Sequence, residues 1–464
     1  MANDTTAQQV TPKGKKTVPV TEMPVSLNIA FEKLNSSYCF VEQIAQIVRI
    51  PTDSRPFLDI YPPTVFANSL ESTRKAEGLP VASKWIRWSG RRTAYQLVYE
   101  PGQPRFTGGN LNTWMPSKVK AKKGDITLWL DYLQRVFTTD PTYQDWFLAW
   151  LAYPLQHPGT KLHTATVFWS EQTATGKSML GRIMSAIYGQ HNYAQLDEAT
   201  LHNPFNFWAV GKQFVMGEEI KGASSAKYAD RLKAMITQQV NYVNVKYKAQ
   251  FELRDCLNYY FTSNHPDAFY LDSNDRRFFV HNLGDQKYPA DLYRDQFEPW
   301  FNNGGAEAIR HYLEHEIDLT KPIVGGDPTS STPHRFNPGA AAPQSNARKA
   351  MIVANLDDVE CWLNELLDSP GAILKGDAEA WTCATARELY TLFCTQNKHT
   401  KCLPKRFSAL LRRQVPPLYS DNKIDLTPEH RDKLYPTRKT PRSGKPWREL
   451  GALELSVEWN EVRV

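Results

Sequence analysis

The amino-acid sequence predicts an α/β protein built around a parallel sheet. Short apolar runs alternate with amphipathic stretches from about Lys161 to Asp318, the pattern of strands joined by helices. Thr164–Trp169 (TATVFW) is β-branched and aromatic, as a buried strand is. A helical repeat follows, with Leu180 and Ile183 on one face. Hydrophobic residues make up 41% of the 464 residues, which is enough for a sizeable core.

The composition predicts a cytoplasmic protein. No apolar run approaches the roughly 20 residues that span a bilayer, so we expect no membrane partner. The amino-terminal stretch has no apolar run after its charges and does not resemble a secretory signal. The six cysteines are scattered without a C-x-x-C pair, which predicts reduced thiols rather than a zinc site.

The basic residues are clustered, although the net charge of +6 is mild. Residues 401–448 hold thirteen Lys or Arg against four acids. A second, tight run comprises Lys118, Lys120, Lys122 and Lys123. Each cluster alone fits a solvated surface, but their recurrence favours a nucleic-acid partner.

The chain divides into six segments by composition and periodicity. Residues 323–347 are rich in Gly, Pro, Ser and Ala, as linkers are, and the helical spacing of residues 125–154 breaks near Asp140-Pro141. After the linker, two helices and a strand-like end occur in the order of a winged helix, with a helical lid or an oligomerisation module as the alternative. The predicted segments are a disordered tail (1–27), a small strand-rich amino-terminal domain (28–122), a helical collar (123–160), the α/β core (161–320), the linker (321–348) and a winged-helix-like DNA-binding domain (349–464).

A phosphate-binding loop is predicted between the first core strand and its helix. A Gly-Lys-Ser sequence opens the helix, and the backbone N–H groups of such a loop face phosphates. We expect Lys177 to contact the β and γ oxygens of ATP and Ser178 to bind Mg²⁺. Glu171 stands where the loop pattern has its first Gly, which restricts the turn and brings a carboxylate near the triphosphate. The predicted ATP-binding residues are Glu171, Gln172, Thr173, Ala174, Thr175, Gly176, Lys177 and Ser178.

Two further core strands end in polar residues. The strand that begins at Gln213 ends in Glu218, which we expect to hold Mg²⁺, and Glu219, which we expect to act as the catalytic base. The strand that begins at Tyr259 ends in Asn264. Because ligands bind at the carboxyl ends of parallel strands, Asn264 is predicted to orient the attacking water or to sense the γ phosphate. A surface Glu pair and a turn-capping Asn are the plainer alternatives.

Arg276 and Arg277 precede a fourth core strand. In the company of the other motifs they favour a catalytic arginine that reaches the γ phosphate of a neighbouring subunit. Arg277 is preferred because it directly abuts the strand. An exposed ion pair is the alternative.

These elements, in this order over about Gly124 to Leu283, resemble the superfamily 3 helicases, the hexameric AAA+ motors of small DNA viruses and of phage and poxvirus primase-helicases. The resemblance implies an AAA+ core, a ring of subunits with ATP and Mg²⁺ at their interfaces, and a β hairpin whose basic tip tracks DNA. That hairpin falls at residues 243–248 and assigns Lys246, Tyr247 and Lys248 to DNA binding. Lysines that flank an aromatic ring also suit this role in themselves, through phosphate contacts and base stacking. A basic hairpin that binds no DNA is the alternative.

The leading hypothesis is a replicative DNA helicase of a phage, plasmid or mobile element. It would translocate on single-stranded and forked DNA as a homo-hexamer. The resemblance places it in the cytoplasm of a bacterium or of a phage-infected host. A separate primase or initiator is an expected partner, because the about 120 residues before the helicase-like region, which begins near Gly124, hold no paired-acid motif. Two alternatives are a phosphate-loop NTPase in antiphage defence and an origin-binding or DNA-remodelling factor with a structural nucleotide.

Overall fold

The protein forms two compact units, Met1–Met351 and Ile352–Val464. The computed structural model describes residues 25–71, 75–76, 79–203, 206–220, 226–243, 251–272, 274–327, 329, 334–368, 383–400, 402–414, 419–425 and 448–454. Helices and a parallel sheet occur together, which confirms the predicted α/β class. None of the helices in these ranges is both long and apolar enough to cross a membrane.

The amino-terminal region combines helices with short strands. Its first helix begins at Val25, within the predicted tail, because Leu27, Phe31 and Leu34 form a buried face. Strand β1 pairs antiparallel with β2 and parallel with β6. The elements are α1 (Val25–Ser37), β1 (Tyr38–Val41), β2 (Gln46–Arg49), β3 (Ile60–Tyr61), α2 (Pro63–Glu71), β4 (Lys75–Ala76), β5 (Leu79–Pro80), α3 (Val81–Arg87), β6 (Thr93–Ala94), β7 (Leu97–Val98), β8 (Phe106–Thr107) and β9 (Asn110–Asn112).

Two helices follow where the collar is predicted, α4 (Thr127–Val136) and α5 (Gln144–Gln156). The break between them occurs at the predicted place, since the Asp140 side chain accepts a hydrogen bond from the Thr142 N–H (3.2 Å) and Pro141 opens a single turn. Both helices bury aromatic side chains in the core of the first unit.

The centre of the first unit is a five-stranded sheet in which every pairing is parallel. The strand order is β11-β12-β15-β10-β16. Trp169 lies beside Ser263 and Asn282 in the register, so the carboxyl ends of β10, β15 and β16 open on one edge of the sheet. The elements are β10 (Ala165–Trp169), α6 (Lys177–Tyr188), β11 (Tyr193–Leu196), α7 (Glu198–His202), β12 (Phe214–Gly217), α8 (Ala226–Thr237), β13 (Val240–Val243), β14 (Phe251–Arg254), β15 (Asn258–Ser263) and β16 (Phe278–Asn282).

Strands β13 and β14 pair antiparallel, at the position where the resemblance places the hairpin. Val243, Phe251 and Leu253 form the buried face of this pair, and they share a hydrophobic core with strands of the amino-terminal region. The predicted DNA-binding residues Lys246, Tyr247 and Lys248 lie outside the described residues.

The segment predicted as a linker, residues 321–348, packs on the core instead of forming a free connection. The Phe336 ring lies 5.8 Å from that of Trp146 and 5.5 Å from that of Tyr153, measured between centroids. Ala342 is also buried. The Phe336 contacts hold this Gly- and Pro-rich chain against helix α5. Residues 292–316, which are helical except for a kink at Asn303 and Gly304, precede this segment and include α9 (Glu298–Trp300) and α10 (Ala306–His311). Helix α11 (Asn346–Ala354) begins at the end of the segment.

The second unit places its helices around a separate core. Trp362, Leu389, Phe393 and Phe407 form the centre of this core. The strands form an antiparallel sheet in the order β17-β19-β18. Two helices and then a strand pair occur in the predicted order, and residues 455–464 of the predicted last strand lie outside the described residues. The elements are α12 (Asp358–Asp368), β17 (Cys383–Thr385), α13 (Ala386–Gln396), α14 (Pro404–Gln414), β18 (Tyr419–Asp425) and β19 (Arg448–Glu454).

Candidate active site

A cavity of about 500 Å³ opens at the carboxyl edge of the parallel sheet. The loop after β10, the start of α6 and the ends of β12 and β15 border it, as ligand sites in open α/β sheets are bordered. The cavity brings together residues 173–178 of the predicted loop with Glu218, Glu219 and Asn264. The sheet therefore gathers chemistry-bearing residues that are up to about 90 positions apart in the chain.

The loop between β10 and α6 turns through two left-handed residues, Ala174 (φ +60°) and Gly176 (φ +95°). A Cβ atom on Gly176 would lie 3.2 Å from Tyr132 Cε2, so glycine also fits the tight space there. Glu171 does not have a positive φ, is exposed and lies outside the cavity lining. The turn therefore does not require the glycine that the loop pattern has at position 171, and the Glu171 carboxylate does not border the cavity.

Lys177 is a buried lysine at the first position of α6. Its Nζ donates hydrogen bonds to Ser170 O and Gln172 O, both at 3.0 Å. Burial lowers the pKa of Lys177 to about 8, and the charge of Glu219 opposes this shift. Because an ammonium has three N–H groups, one remains for an anion in the cavity.

Ser178 and Glu218, the two predicted Mg²⁺ ligands, are in contact. The Ser178 hydroxyl donates to Glu218 Oε1 at 2.6 Å, and the other Glu218 oxygen accepts from Gln195 Nε2. Magnesium in phosphate-transfer sites usually takes one or two protein oxygens and completes its shell with phosphate and water. Within the described residues no larger His, Cys, Asp or Glu cluster suits a metal ion. The Ser178 hydroxyl and the Glu218 carboxylate are thus two neighbouring oxygen donors that could hold Mg²⁺ at this cavity.

Glu219 occupies a left-handed backbone conformation (φ +51°), which is unfavourable for any residue except glycine. The conformation is held from both sides, because Glu218 N donates to Leu196 O (2.9 Å) and Ile220 N donates to Thr262 O (3.3 Å). The Asn264 amide lies 3.4 Å from Glu219 Oε1. The predicted base and the predicted orienting amide are therefore neighbours at the cavity.

Arg276 and Arg277 lie at the opposite edge of the sheet from the cavity. They precede Phe278, which pairs with Ala165 at the amino end of β10. Five residues at about 3.3 Å each separate the two edges by roughly 16 Å. Neither arginine reaches the cavity of its own chain, so a role at the γ phosphate requires another subunit.

The two arginines differ in their surroundings, which the sequence alone did not indicate. Arg277 is half-buried, and its backbone N and its Nη1 both contact Asp275 Oδ1 (2.9 and 3.5 Å). Arg276 is exposed. Arg277 was preferred because it lies next to the strand, but in that position its side chain contacts Asp275. The exposed Arg276 side chain is the better placed of the two to contact a neighbouring molecule.

Three tyrosines that hold the loop were missed by the sequence patterns. Tyr132 OH donates to Gly176 O (3.2 Å), Tyr260 OH donates to Lys177 O (2.8 Å), and Tyr288 N donates to Ala174 O (2.8 Å). Burial raises the pKa of Tyr132 and of Tyr260 above the usual range, so both phenols remain donors. Tyr132 showed only helical spacing and Tyr260 only a mid-strand position, signals typical of core packing.

Among known proteins, a family of unknown function (DUF5906) matches residues 168–277 of this chain. The chain is 27% identical over 239 residues to the DNA primase-polymerase of Nitratiruptor phage NrS-1. The match covers 49% of this chain and 33% of the phage protein, so the chain spans about a third of that relative.

Solved structures of the NrS-1 C-terminal region, in apo form, share the fold of this chain. One has a TM-score of 0.61 at 16% sequence identity, covering 92% of this chain and 99% of that structure. A second has a TM-score of 0.60, also at 16% identity, and covers 92% of this chain and 98% of its own. The matched family region contains β12, β15 and most of the cavity, so the similarity includes the elements that position the site.

Proposed function

We propose that this chain is the ATP-driven motor of a phage DNA replication protein, a DNA helicase of the AAA+ type. The observation that carries the proposal is the 2.6 Å hydrogen bond between Ser178 and Glu218, beside Lys177 in one cavity. A loop lysine, a metal-binding hydroxyl and a strand-end acid recur together in phosphate-loop NTPases, where catalysis is mainly positioning and charge stabilisation. These three groups come from two elements that the sheet holds together.

The site residues divide the work of ATP hydrolysis among themselves. The backbone N–H groups of the loop and Lys177 would hold the β and γ phosphates. Ser178 and Glu218 would hold Mg²⁺, which neutralises charge on the phosphate oxygens when bound. Glu219 would accept a proton from the attacking water, and Asn264 would orient that water through its amide. The exposed position of Glu171 supports turnover, because no acid of the loop's first position faces the phosphates.

The role in phage DNA replication rests on the similarity to a phage DNA primase-polymerase. That protein acts in DNA synthesis, and this chain shares the fold of its C-terminal region. We infer cytoplasmic action in the host cell, on single-stranded or forked DNA. A separate primase or initiator remains an expected partner.

We propose a ring of subunits, with six as the number that the helicase resemblance implies. The cavity lies at one edge of the sheet and Arg276 at the other, so an arginine at the γ phosphate would have to come from an adjacent copy. The exposed side chain of Arg276 supports this arrangement.

The proposed DNA contacts are the hairpin tip and the second unit. Lys246, Tyr247 and Lys248 connect the paired strands β13 and β14. Helix α14 contains the basic residues Lys405 and Arg412 and buries an apolar face, as helices that dock on DNA do.

The test of the motor is ATP turnover with and without single-stranded DNA. We expect the parent to hydrolyse ATP faster with DNA, Lys177→Ala to lose hydrolysis, and Glu219→Gln to bind ATP without turning it over. Glu171→Gln is the matched control, an acid removed two positions outside the cavity lining, and should keep the parental rate. ATP that binds the parent but is never hydrolysed would favour the remodelling factor with a structural nucleotide. Hydrolysis that ignores DNA would favour the NTPase of another pathway.

The test of the DNA contacts is the salt dependence of binding. Each phosphate contact contributes a log–log slope of about −0.7 for single strands. The Lys246→Ala/Lys248→Ala double variant should flatten the single-strand slope by roughly 1.4 and stop unwinding, with basal ATPase retained. The Lys405→Ala/Arg412→Ala double variant should instead weaken duplex binding. The reverse pattern would remove the hairpin assignment.

A further inference from the structure

The cavity extends beyond the phosphate loop to an aromatic segment that has no role in the chemistry described so far. Tyr288, Ala290 and Tyr293 follow β16 and line the same cavity as Lys177. In the sheet order, β12, which leads into the acids, lies three strand spacings from β16, roughly 14 Å at about 4.8 Å each. The phosphate loop follows β10, between the two. A nucleotide whose γ phosphate lies near the acids therefore has its other end directed toward this segment.

Tyr288 carries a buried hydroxyl without a partner. The residue exposes 9% of its surface, and its ring packs edge-on against Tyr132 at a centroid distance of 6.1 Å. Among the described residues its hydroxyl finds no hydrogen-bond partner. Burial raises the pKa of Tyr288 to about 12, so the phenol remains protonated. Buried polar groups are normally paired, and an unpaired one costs stability unless a bound group completes it.

Tyr293 places a half-buried ring on the same wall of the cavity. The Arg182 guanidinium donates to its hydroxyl and lies 5.8 Å from its ring centroid. Glu298 holds Arg182 through an ion pair of 2.8 Å. The Phe297 ring stacks on Tyr293 at 6.1 Å with an interplanar angle of 14°. These contacts fix the Tyr293 ring in place before any ligand binds.

We propose that Tyr288 and Tyr293 form the subsite for the nucleobase of a nucleoside triphosphate. The Tyr293 ring contacts the face of the base, and the Tyr288 hydroxyl bonds to its edge. A phenol can both donate and accept, so it matches either a ring nitrogen or an exocyclic group. This inference rests on the proposed function, since it takes the loop at Lys177 to hold the triphosphate. Tyr288 and Tyr293 act here as binding residues and take no part in bond breaking.

The experiment compares the affinity for ATP with that for inorganic tripolyphosphate, which has the phosphates and no base. Tyr288→Phe removes one hydrogen bond and should weaken ATP binding about fivefold. Tyr293→Ala removes a stacking surface and should weaken it on the order of tenfold, whereas Tyr293→Phe keeps the ring and should match the parent. Tripolyphosphate affinity should be unchanged in all three variants. Tyr95→Ala, an exposed tyrosine of the amino-terminal region, is the control.

The ligand-free melting temperature gives a second readout. Tyr288→Phe removes a buried hydroxyl that has no hydrogen-bond partner among the described residues, so the ligand-free variant should melt above the parent while its ATP-induced rise in Tm shrinks. If Tyr288 had only a structural role, Tyr288→Phe would lower both the ligand-free Tm and the ATP-induced rise in Tm. The inference is overturned if the variants bind ATP as the parent does, or if they lose ATP and tripolyphosphate equally. A parent that binds neither ligand would instead remove the phosphate site, and with it the proposed function.

Discussion

The buried ion pair between Lys161 and Asp255 joins three parts of the first unit. Lys161 Nζ lies 2.8 Å from Asp255 Oδ1, and the two side chains expose 3% and 0% of their surfaces. Lys161 precedes β10, Asp255 follows the hairpin strand β14, and the ammonium also donates to Met235 O of α8 at 2.9 Å. We therefore expect Asp255→Asn to destabilise the protein strongly.

The magnitude follows from what remains around the lysine. In Asp255→Asn the ammonium loses its counter-charge and keeps neutral partners, which are the amide oxygen of the new side chain, the Met235 carbonyl and the face of the Tyr259 ring, 5.0 Å from its centroid. Breaking a buried pair from one side costs about 3–5 kcal/mol, because a desolvated charge stays behind. The double variant Lys161→Met/Asp255→Asn leaves no such charge. Its loss of stability should therefore be smaller than the sum of the losses in the two single variants, by a coupling energy on the order of 2 kcal/mol.

The pH dependence of the same variant has a definite sign. Burial lowers the pKa of Lys161 from its ordinary value of 10.5, and the charge of Asp255 opposes that shift. Without Asp255 the pKa falls further, so the unfolded chain binds more protons than the folded one over a wider range below pH 10.5. The free energy of unfolding of Asp255→Asn should therefore rise with pH more steeply than that of the parent.

Urea unfolding followed by tryptophan fluorescence measures these differences. The control is Arg135→Gln, which breaks an exposed pair with Asp131 (2.9 Å, side chains 43% and 35% exposed) and should cost less than about 0.5 kcal/mol. An Asp255→Asn variant as stable as this control would refute the reasoning. If the losses of stability in the two single variants add up to the loss in the double variant, the reasoning is refuted as well.

Three further predictions concern the cavity and its neighbours. Ala174→Gly relieves a left-handed alanine and should raise the free energy of unfolding by about 1 kcal/mol, seen as a higher Tm; a lower Tm would contradict the strain. ATP affinity should fall as the pH rises above about 8, because Lys177 binds phosphate in its protonated form. Titration calorimetry across that pH measures this effect, and Lys177→Arg, which stays charged, should show no such fall. A mixture of the Arg276→Ala and Lys177→Ala proteins should recover ATP hydrolysis at the interfaces between the two variants. If hydrolysis is recovered only when Arg277→Ala takes the place of Arg276→Ala in the mixture, the original preference for Arg277 is restored.

The strand-end acids and the loop were predictable because each is local. Glu218 and Glu219 follow an apolar run, and parallel strands end at the same edge, so contact with Ser178 follows from the strand pattern. The α4–α5 break was local too, since Asp140 and Pro141 carry the turn in their own chemistry.

Long-range contacts were not predictable in the same way. Phe336 sits in a Gly- and Pro-rich segment that looks like a linker, and only the presence of Trp146 and Tyr153 on α5 makes it a core residue. The effect of Glu171 on the loop depended on which loop residues adopt the left-handed conformation, and these are Ala174 and Gly176. Composition carries no signal for either.

The shared core of the hairpin and the amino-terminal region has a consequence for dissecting the protein. Val243, Phe251 and Leu253 pack against Leu97 and Leu111, so a fragment that starts at the collar would leave these apolar side chains in water. An isolated strand pair is marginally stable and offers open edges to other chains. Such a fragment should aggregate even with its cavity intact. In the whole protein, moving the two hairpin strands away from the amino-terminal strands would expose the apolar side chains that both contribute to this core.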